Sequence, residues 1–194
     1  MGLMVHSLEG IPEDHHRDYF IYLLDYGWRE PLSDALRQNF EKMATLASKE
    51  KNTVVVMRTE EGIHFSDEVL SWHSINGENA ESSGLLPAIL ITNRHPSEFR
   101  MRAFSDHRSN PVETNLKMIL FPLRKYCEDT VDVVDLIQRI FSSIKQKKDL
   151  EHFGIIEEKS KDQRGTLVPS LIIEPTSTGT RIAFDRIDKY FTEK

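Results

Sequence analysis

The chain has a single cysteine, Cys127, in 194 residues. An internal disulfide is therefore excluded, and so is any mechanism that needs two thiols on one chain. It has no excess of positive charge: the net charge is -6 and the sequence pI about 5.8, so nothing global draws it to nucleic acid or to an anionic membrane. No apolar run approaches a membrane span, and the opening MGLMVHSLEGIPEDHH has neither the cationic start nor the apolar centre of a signal peptide. No G-x-G-x-x-G, Walker A or G-x-S-x-G pattern occurs, which removes support from the common nucleotide-binding and serine-hydrolase readings. No internal repeat is visible. These absences leave a cytoplasmic domain whose length suffices for an ordinary hydrophobic core.

What is present has an alternating α/β pattern. Residues 1 to 18 read as a polar surface lead-in. Tyr19 to Asp25 is an apolar, aromatic and branched run expected to form a strand, and Gly27 breaks it. From Pro31, a residue suited to the first position of a helix, Leu32, Leu36, Phe40, Met43 and Ala47 recur at intervals of three and four, predicting one buried helical face. Thr53 to Met57 then reads as a fully buried strand, completing a βαβ unit whose strands should be parallel. A short helix is expected over Ser66 to Ile75 behind a Ser66 or Asp67 cap, and strands over Leu85 to Thr92 and Lys117 to Leu123. Val131 to Ile144 predicts the clearest helix, with Asp129 as N-cap and Val134, Ile137, Phe141 and Ile144 facing inward. Leu167 to Glu174 and Thr180 to Phe184 read as a hairpin. The expected organisation is one domain over 1–194, with a core at 19–145, an insertion at 93–115 and a C-terminal hairpin extension at 150–194.

Three constellations carry candidate chemistry. The polar stretch from 93 to 115 gathers Arg94, Arg100, Arg102 and Arg108 with His95 and His107, and interleaves Phe99 and Phe104. Guanidinium and aromatic groups in alternation suit a phosphate, a base, or an acidic protein surface; the competing reading is a polar loop neutralised by Glu98, Asp106 and Glu113. The central FRMRAF also alternates as an edge strand would. Glu157-Glu158-Lys159 matches the E-x-K half of a metal-dependent nuclease site, with Asp132 or Asp135 as further oxygen ligands, although a solvated charge run is the commoner origin of EEKSK. His15 and His16 lack the spaced partners a metal site needs and read as a solvated turn. No metal and no cofactor is expected.

The order β, α, β, α, β, β, α is similar to that of the thioredoxin fold. Trp28-Arg29-Glu30-Pro31-Leu32 resembles the W-C-x-P-C segment at the same strand-to-helix junction, and Leu86-Pro87 before AILIT resembles the strand that this family enters through a cis-proline. The likeness spans about residues 19 to 145 and rests on Trp28, Pro31 and Pro87. Arg29 and Leu32 stand where the family has its two cysteines, and Leu23 stands where it places a buried acid. The resemblance thus implies a redox-inactive domain, because thiol–disulfide exchange needs an attacking and a resolving thiol. In relatives without a dithiol, the helix N-terminus and the proline backbone hold peptide-like ligands, which assigns Arg29 the role of facing a carboxylate; the alternative is an arginine on an exposed first turn.

The expectation from sequence is accordingly a non-catalytic binding or adaptor subunit of a larger protein assembly. Its binding residues would be Trp28, Arg29, Pro87, Arg94, Arg100, Arg102, Phe104 and Arg108. A small enzyme, glutathione-dependent or a metal nuclease, is the second reading, and a nucleic-acid-binding module using residues 94–108 the third.

Overall fold

A computed structural model describes residues 1–13, 17–27, 30–50, 52–60, 62, 64–73, 85–98 and 118–146, together with the backbone of 171–176 and 179–182. It is an α/β fold with a mixed sheet flanked by helices. The strands are β1 (Gly2–Val5), β2 (Tyr19–Leu24), β3 (Thr53–Arg58), β4 (Ala88–Thr92) and β5 (Met118–Pro122), and they lie in the order β1-β3-β2-β4-β5. Beyond β5 the backbone of β6 (Leu171–Thr176) and β7 (Gly179–Ile182) continues the sheet antiparallel. The helices are α1 (Pro31–Lys49), α2 (Phe65–Trp72), the single turn α3 (Leu123–Tyr126) and α4 (Thr130–Lys145).

β2 and β3 pair in parallel, with Tyr19 opposite Thr53 and Leu23 opposite Met57, as expected for strands joined through a helix. β4 runs antiparallel to β2 and β5 antiparallel to β4, so the sheet is parallel on the β1-β3-β2 side and antiparallel from β2 onward. The central strands show no apolar–polar alternation because both their faces are covered. Ile21, Leu23, Val55, Ile89, Ile91 and Phe121 point to one face, beneath α1 and α4. Phe20, Tyr22, Leu24, Val54, Val56 and Leu90 point to the other, beneath α2 and the N-terminal segment. Burying each such side chain stabilises the fold by about 1.5–3 kcal/mol relative to exposure.

In α1, Leu36, Met43 and Ala47 are buried, with Leu32 and Phe40 packed against the same core. Asp129 caps α4 as expected: its carboxylate accepts from the Val131 and Asp132 N–H groups at 2.7 and 3.1 Å. The Asp132 side chain accepts in turn from the Glu128 and Asp129 N–H groups, completing a reciprocal cap.

Four expectations are corrected. Residues 1 to 18 do not form a surface lead-in, because Gly2–Val5 is a strand parallel to β3 and Val5, Leu8 and Ile11 are buried. The inner face of α4 is centred on Val133, Leu136, Ile137, Ile140 and Ile144, leaving Val134 half-buried. α2 begins at Phe65 without a side-chain cap, and Ser66 is wholly buried rather than capping. The strands expected from Leu85 and Lys117 begin at Ala88 and Met118. FRMRAF, His15, His16 and Glu157 to Lys159 lie outside the described residues.

Candidate functional site at the end of strand β2

Antiparallel pairing places the start of β4 and the finish of β5 beside the finish of β2: Leu24 pairs with Ala88, and Ala88 with Pro122. One end of the sheet therefore gathers the turn after β2, the Leu86-Pro87 peptide, the start of α1 and the start of α3. The Leu86-Pro87 bond is cis, both residues are buried, and the Pro87 carbonyl accepts from the Leu123 N–H at 2.8 Å.

Asp25 is the centre of this end. Its side chain is only 4% exposed and accepts from three donors: the Gly27 N–H and Arg58 Nε reach Oδ1 at 2.7 and 2.9 Å, and Arg37 Nε reaches Oδ2 at 3.1 Å. The backbone of the same residue is held as well, since its N–H donates to Ser66 Oγ at 3.0 Å and Ser66 Oγ donates to its carbonyl at 2.8 Å. One aspartate thus joins the end of β2 to α1, β3 and α2. Such a carboxylate is stable in the interior because its lone pairs are engaged and two guanidiniums face it.

Gly27 fits this arrangement for two reasons. Its φ of 77° lies in the left-handed region, and the Arg58 guanidinium occupies the space a Cβ would need. Arg58 Nη1 also donates to the Thr59 carbonyl at 3.2 Å and the Glu60 carbonyl at 3.4 Å, fixing the cation against the strand end. Nearby, the Tyr26 hydroxyl donates to Asp67 Oδ1 at 2.9 Å, tying the turn to α2. Glu30 precedes α1, accepts from Ser33 Oγ at 3.0 Å, and pairs through Oε2 with Arg124 Nη2 at 2.7 Å.

Cys127 follows α3, is buried in the core beneath α1 and α4, and its thiol is pushed up to about 11 by burial and by the nearby Asp132 and Asp129 carboxylates. Raising the pKa removes thiolate, the species that attacks. On the opposite face, His73 closes α2 with its ring 5.4 Å from that of Tyr22. Burial lowers His73 to about 4 against the hydrogen bond from Nδ1 to the Val69 carbonyl at 2.7 Å, and burial likewise raises the Tyr22 hydroxyl.

Of the residues proposed from sequence, Pro87 lies at this end and Arg94 lies exposed beyond the other end of β4. Five strand residues separate these ends by roughly 17 Å, so the two cannot belong to a single small site. Trp28, Arg29, Arg100, Arg102, Phe104 and Arg108 lie outside the described residues. Sequence reasoning misses Asp25, Arg37 and Arg58 as site residues and takes Ser66 only as a helix cap. The available signal was an acid closing a wholly apolar run just before a glycine, a position where burial of the charge requires a cation from elsewhere.

Between α1 and α4 there is also an open groove of about 260 Å³ lined by Ala35, Gln38, Asn39, Thr130, Val131 and Val134, whose side chains include no carboxylate, imidazole, amine or thiol. Among the described residues no group of three or more His, Cys, Asp or Glu side chains could hold a metal, and no helix is long and apolar enough to cross a membrane. In comparisons with known proteins, no family model, no curated protein and no solved structure matches the chain.

Proposed function

We propose that the chain is a non-catalytic binding domain, an adaptor subunit of a larger protein assembly, built on a redox-inactive thioredoxin-like scaffold with a C-terminal hairpin extension. The observation that carries this reading is the fate of the only thiol: Cys127 is buried in the core and its ionisation is displaced upward. At that turn the acid is engaged by two arginines and a backbone N–H, an arrangement suited to holding a turn in shape. The strand order β3-β2-β4-β5 with α1 between β2 and β3 supports the scaffold.

Binding is assigned to two surfaces. The first is assigned to Trp28 and Arg29 with the buried Pro87, and the second to Arg94, Arg100, Arg102, Phe104 and Arg108, in the sequence between β4 and β5. Arginine and aromatic side chains combine contact area with directional hydrogen bonds, and loss of a true anchor costs at least about 2 kcal/mol, or roughly thirtyfold in affinity.

Two measurements test the proposal. Cys127 in the folded chain should react with a disulfide reagent at pH 8 at least about a hundredfold more slowly than in denaturant, and insulin reduction should show no turnover. Turnover by the wild type that disappears in Cys127→Ser would overturn the redox-inactive reading. Affinity capture and mass spectrometry identify the partner; alanine at Arg100, Arg102 and Phe104 together should weaken its binding at least about thirtyfold with melting unchanged. Undiminished binding by the folded triple variant would remove that surface. Displacement of the partner by single-stranded nucleic acid, with a steep salt dependence, would favour the nucleic-acid reading instead.

A further inference from the structure

The sheet order ends at β1, and this edge has properties that fit a second copy of the same chain. Val55 N–H donates to the Met1 carbonyl at 2.8 Å and Thr59 N–H to the Val5 carbonyl at 3.0 Å. In a parallel pair, alternate residues turn both backbone groups toward the neighbour, so Met1, Leu3 and Val5 serve β3 while the N–H and C=O of Gly2 and Met4 face outward. The strand, GLMV, carries none of the devices that usually blunt an edge: no charge, no proline and no bulge. Met4 is 53% exposed, one of two large apolar side chains so exposed among the described residues.

We infer that β1 pairs antiparallel with β1 of a second copy, about a two-fold axis through Leu3, giving a weak homodimer with one continuous sheet. The argument is complementarity. Under that axis Gly2 of each copy meets Met4 of the other, so every outward N–H faces an outward C=O and no backbone group of the pair is left over. The side chains match too, because the exposed Met4 lies beside a residue that has none. Gly2 must lack a side chain on its own account: a Cβ there would collide with Ala44 of α1 and press on Phe40.

That contact also shows α1 lying over β1. With strands about 4.8 Å apart, a helix centred between β1 and β3 comes within about 10 Å of its symmetry copy, the ordinary spacing of packed helices. The flank of α1 beside Gly2 carries Ala44, and Ser48 follows one turn later; its hydroxyl is already bonded to the Ala44 carbonyl at 2.8 Å. Small, satisfied side chains permit such an approach. The four-residue strand by itself buries far less than the ~1,200 Å² of a stable complex, so affinity in the micromolar to millimolar range is expected.

Sedimentation velocity of the full chain from about 10 μM to 1 mM tests this, paired with hydrogen exchange at low and high concentration. Dimer should accumulate with concentration, and the Met4 amide should gain protection in step. Met4→Lys places a charge on the edge, and Met4→Pro removes the outward donor together with the exposed side chain; each should weaken dimerisation at least about tenfold while the melting temperature of the dilute protein stays unchanged. If Met4→Pro impairs folding, Met4→Lys decides. A wild type that is monomeric at the highest concentration would overturn the inference. So would a dimer that forms equally well in Met4→Lys, or one that leaves Met4 unprotected.

Discussion

Two aspartates at the borders of regular elements, Asp25 after β2 and Asp129 before α4, show how different the same side chain's work can be. Asp129 accepts from N–H groups two and three residues ahead of it, in an exposed setting. Asp25 accepts one such local bond, from Gly27, but its other partners lie 12, 33 and 41 residues away, and its side chain is almost wholly enclosed. The first arrangement closes a helix end; the second closes the domain. A local cap is replaceable by water when lost, whereas losing the interior acid takes the anion from the largely enclosed Arg58, while Arg37 keeps Asp34 at 3.9 Å.

The largest expected effect follows from that asymmetry. Asp25→Ala should destabilise the fold by roughly 3–5 kcal/mol in urea unfolding, as breaking a buried pair does, tempered because Arg37 is one-third exposed. Asp25→Asn, which retains an acceptor for Gly27, should recover part of the loss. An Asp25→Ala chain as stable as the wild type would show that the arginines find other partners and that the end of β2 is not a closure point.

Next in size is a pH effect at another enclosed group. His73 is held neutral to about 4, below the usual 6.5, so between those values the unfolded chain takes up a proton that the folded chain refuses. Its contribution to stability is complete above pH 6.5 and falls as the pH drops toward 4, by an amount on the order of 3 kcal/mol at the lower end. Urea titrations at pH 7, 5.5 and 4 should therefore show a gentler decline in His73→Gln than in wild type. Equal slopes would mean that His73 is not the source of acid sensitivity.

The smallest effect sharpens the comparison from the exposed side. Asp129→Ala should cost about 1 kcal/mol, and Asp129→Ser should restore most of it, because any short acceptor can cap. A loss matching that of Asp25→Ala would erase the distinction between the two aspartates.

The same contrast explains what was legible in the sequence. Asp129 and its reciprocal partner Asp132 lie within one turn of each other, and the pattern of Leu36, Met43 and Ala47 is a property of one helix, so these features could be read in order along the chain. The parallel pairing of β2 with β3 follows from the helix between them. β1 was hidden because GLMV is too short to show a period, and its burial depends on β3, fifty residues away. In α4 the apolar stripe is wide enough to be centred on Val134 or on Val133, and only the neighbouring α1 decides between them. Ser66 looks like a cap in isolation; it becomes a ligand of the Asp25 backbone once β2 and α2 meet. The site at the end of β2 was recognisable as a junction, but its arginines come from separate elements and no local pattern announces them.

Thr92 and Met118 are cross-strand partners, so the chain leaves the sheet after β4 and re-enters it at a neighbouring point. Thermodynamically the segment between them is an excursion, and the entropy of closing it rises only slowly with its length. Because its two ends are paired neighbours, the gap between them is one that a two-residue hairpin turn spans. The attachment has one further anchor: the His95 ring packs edge-on against Phe20 and its Nε2 lies 3.2 Å from the Ile11 carbonyl. A graft placed after Glu98 would keep that anchor, with His95 still seated between Phe20 and the Ile11 carbonyl.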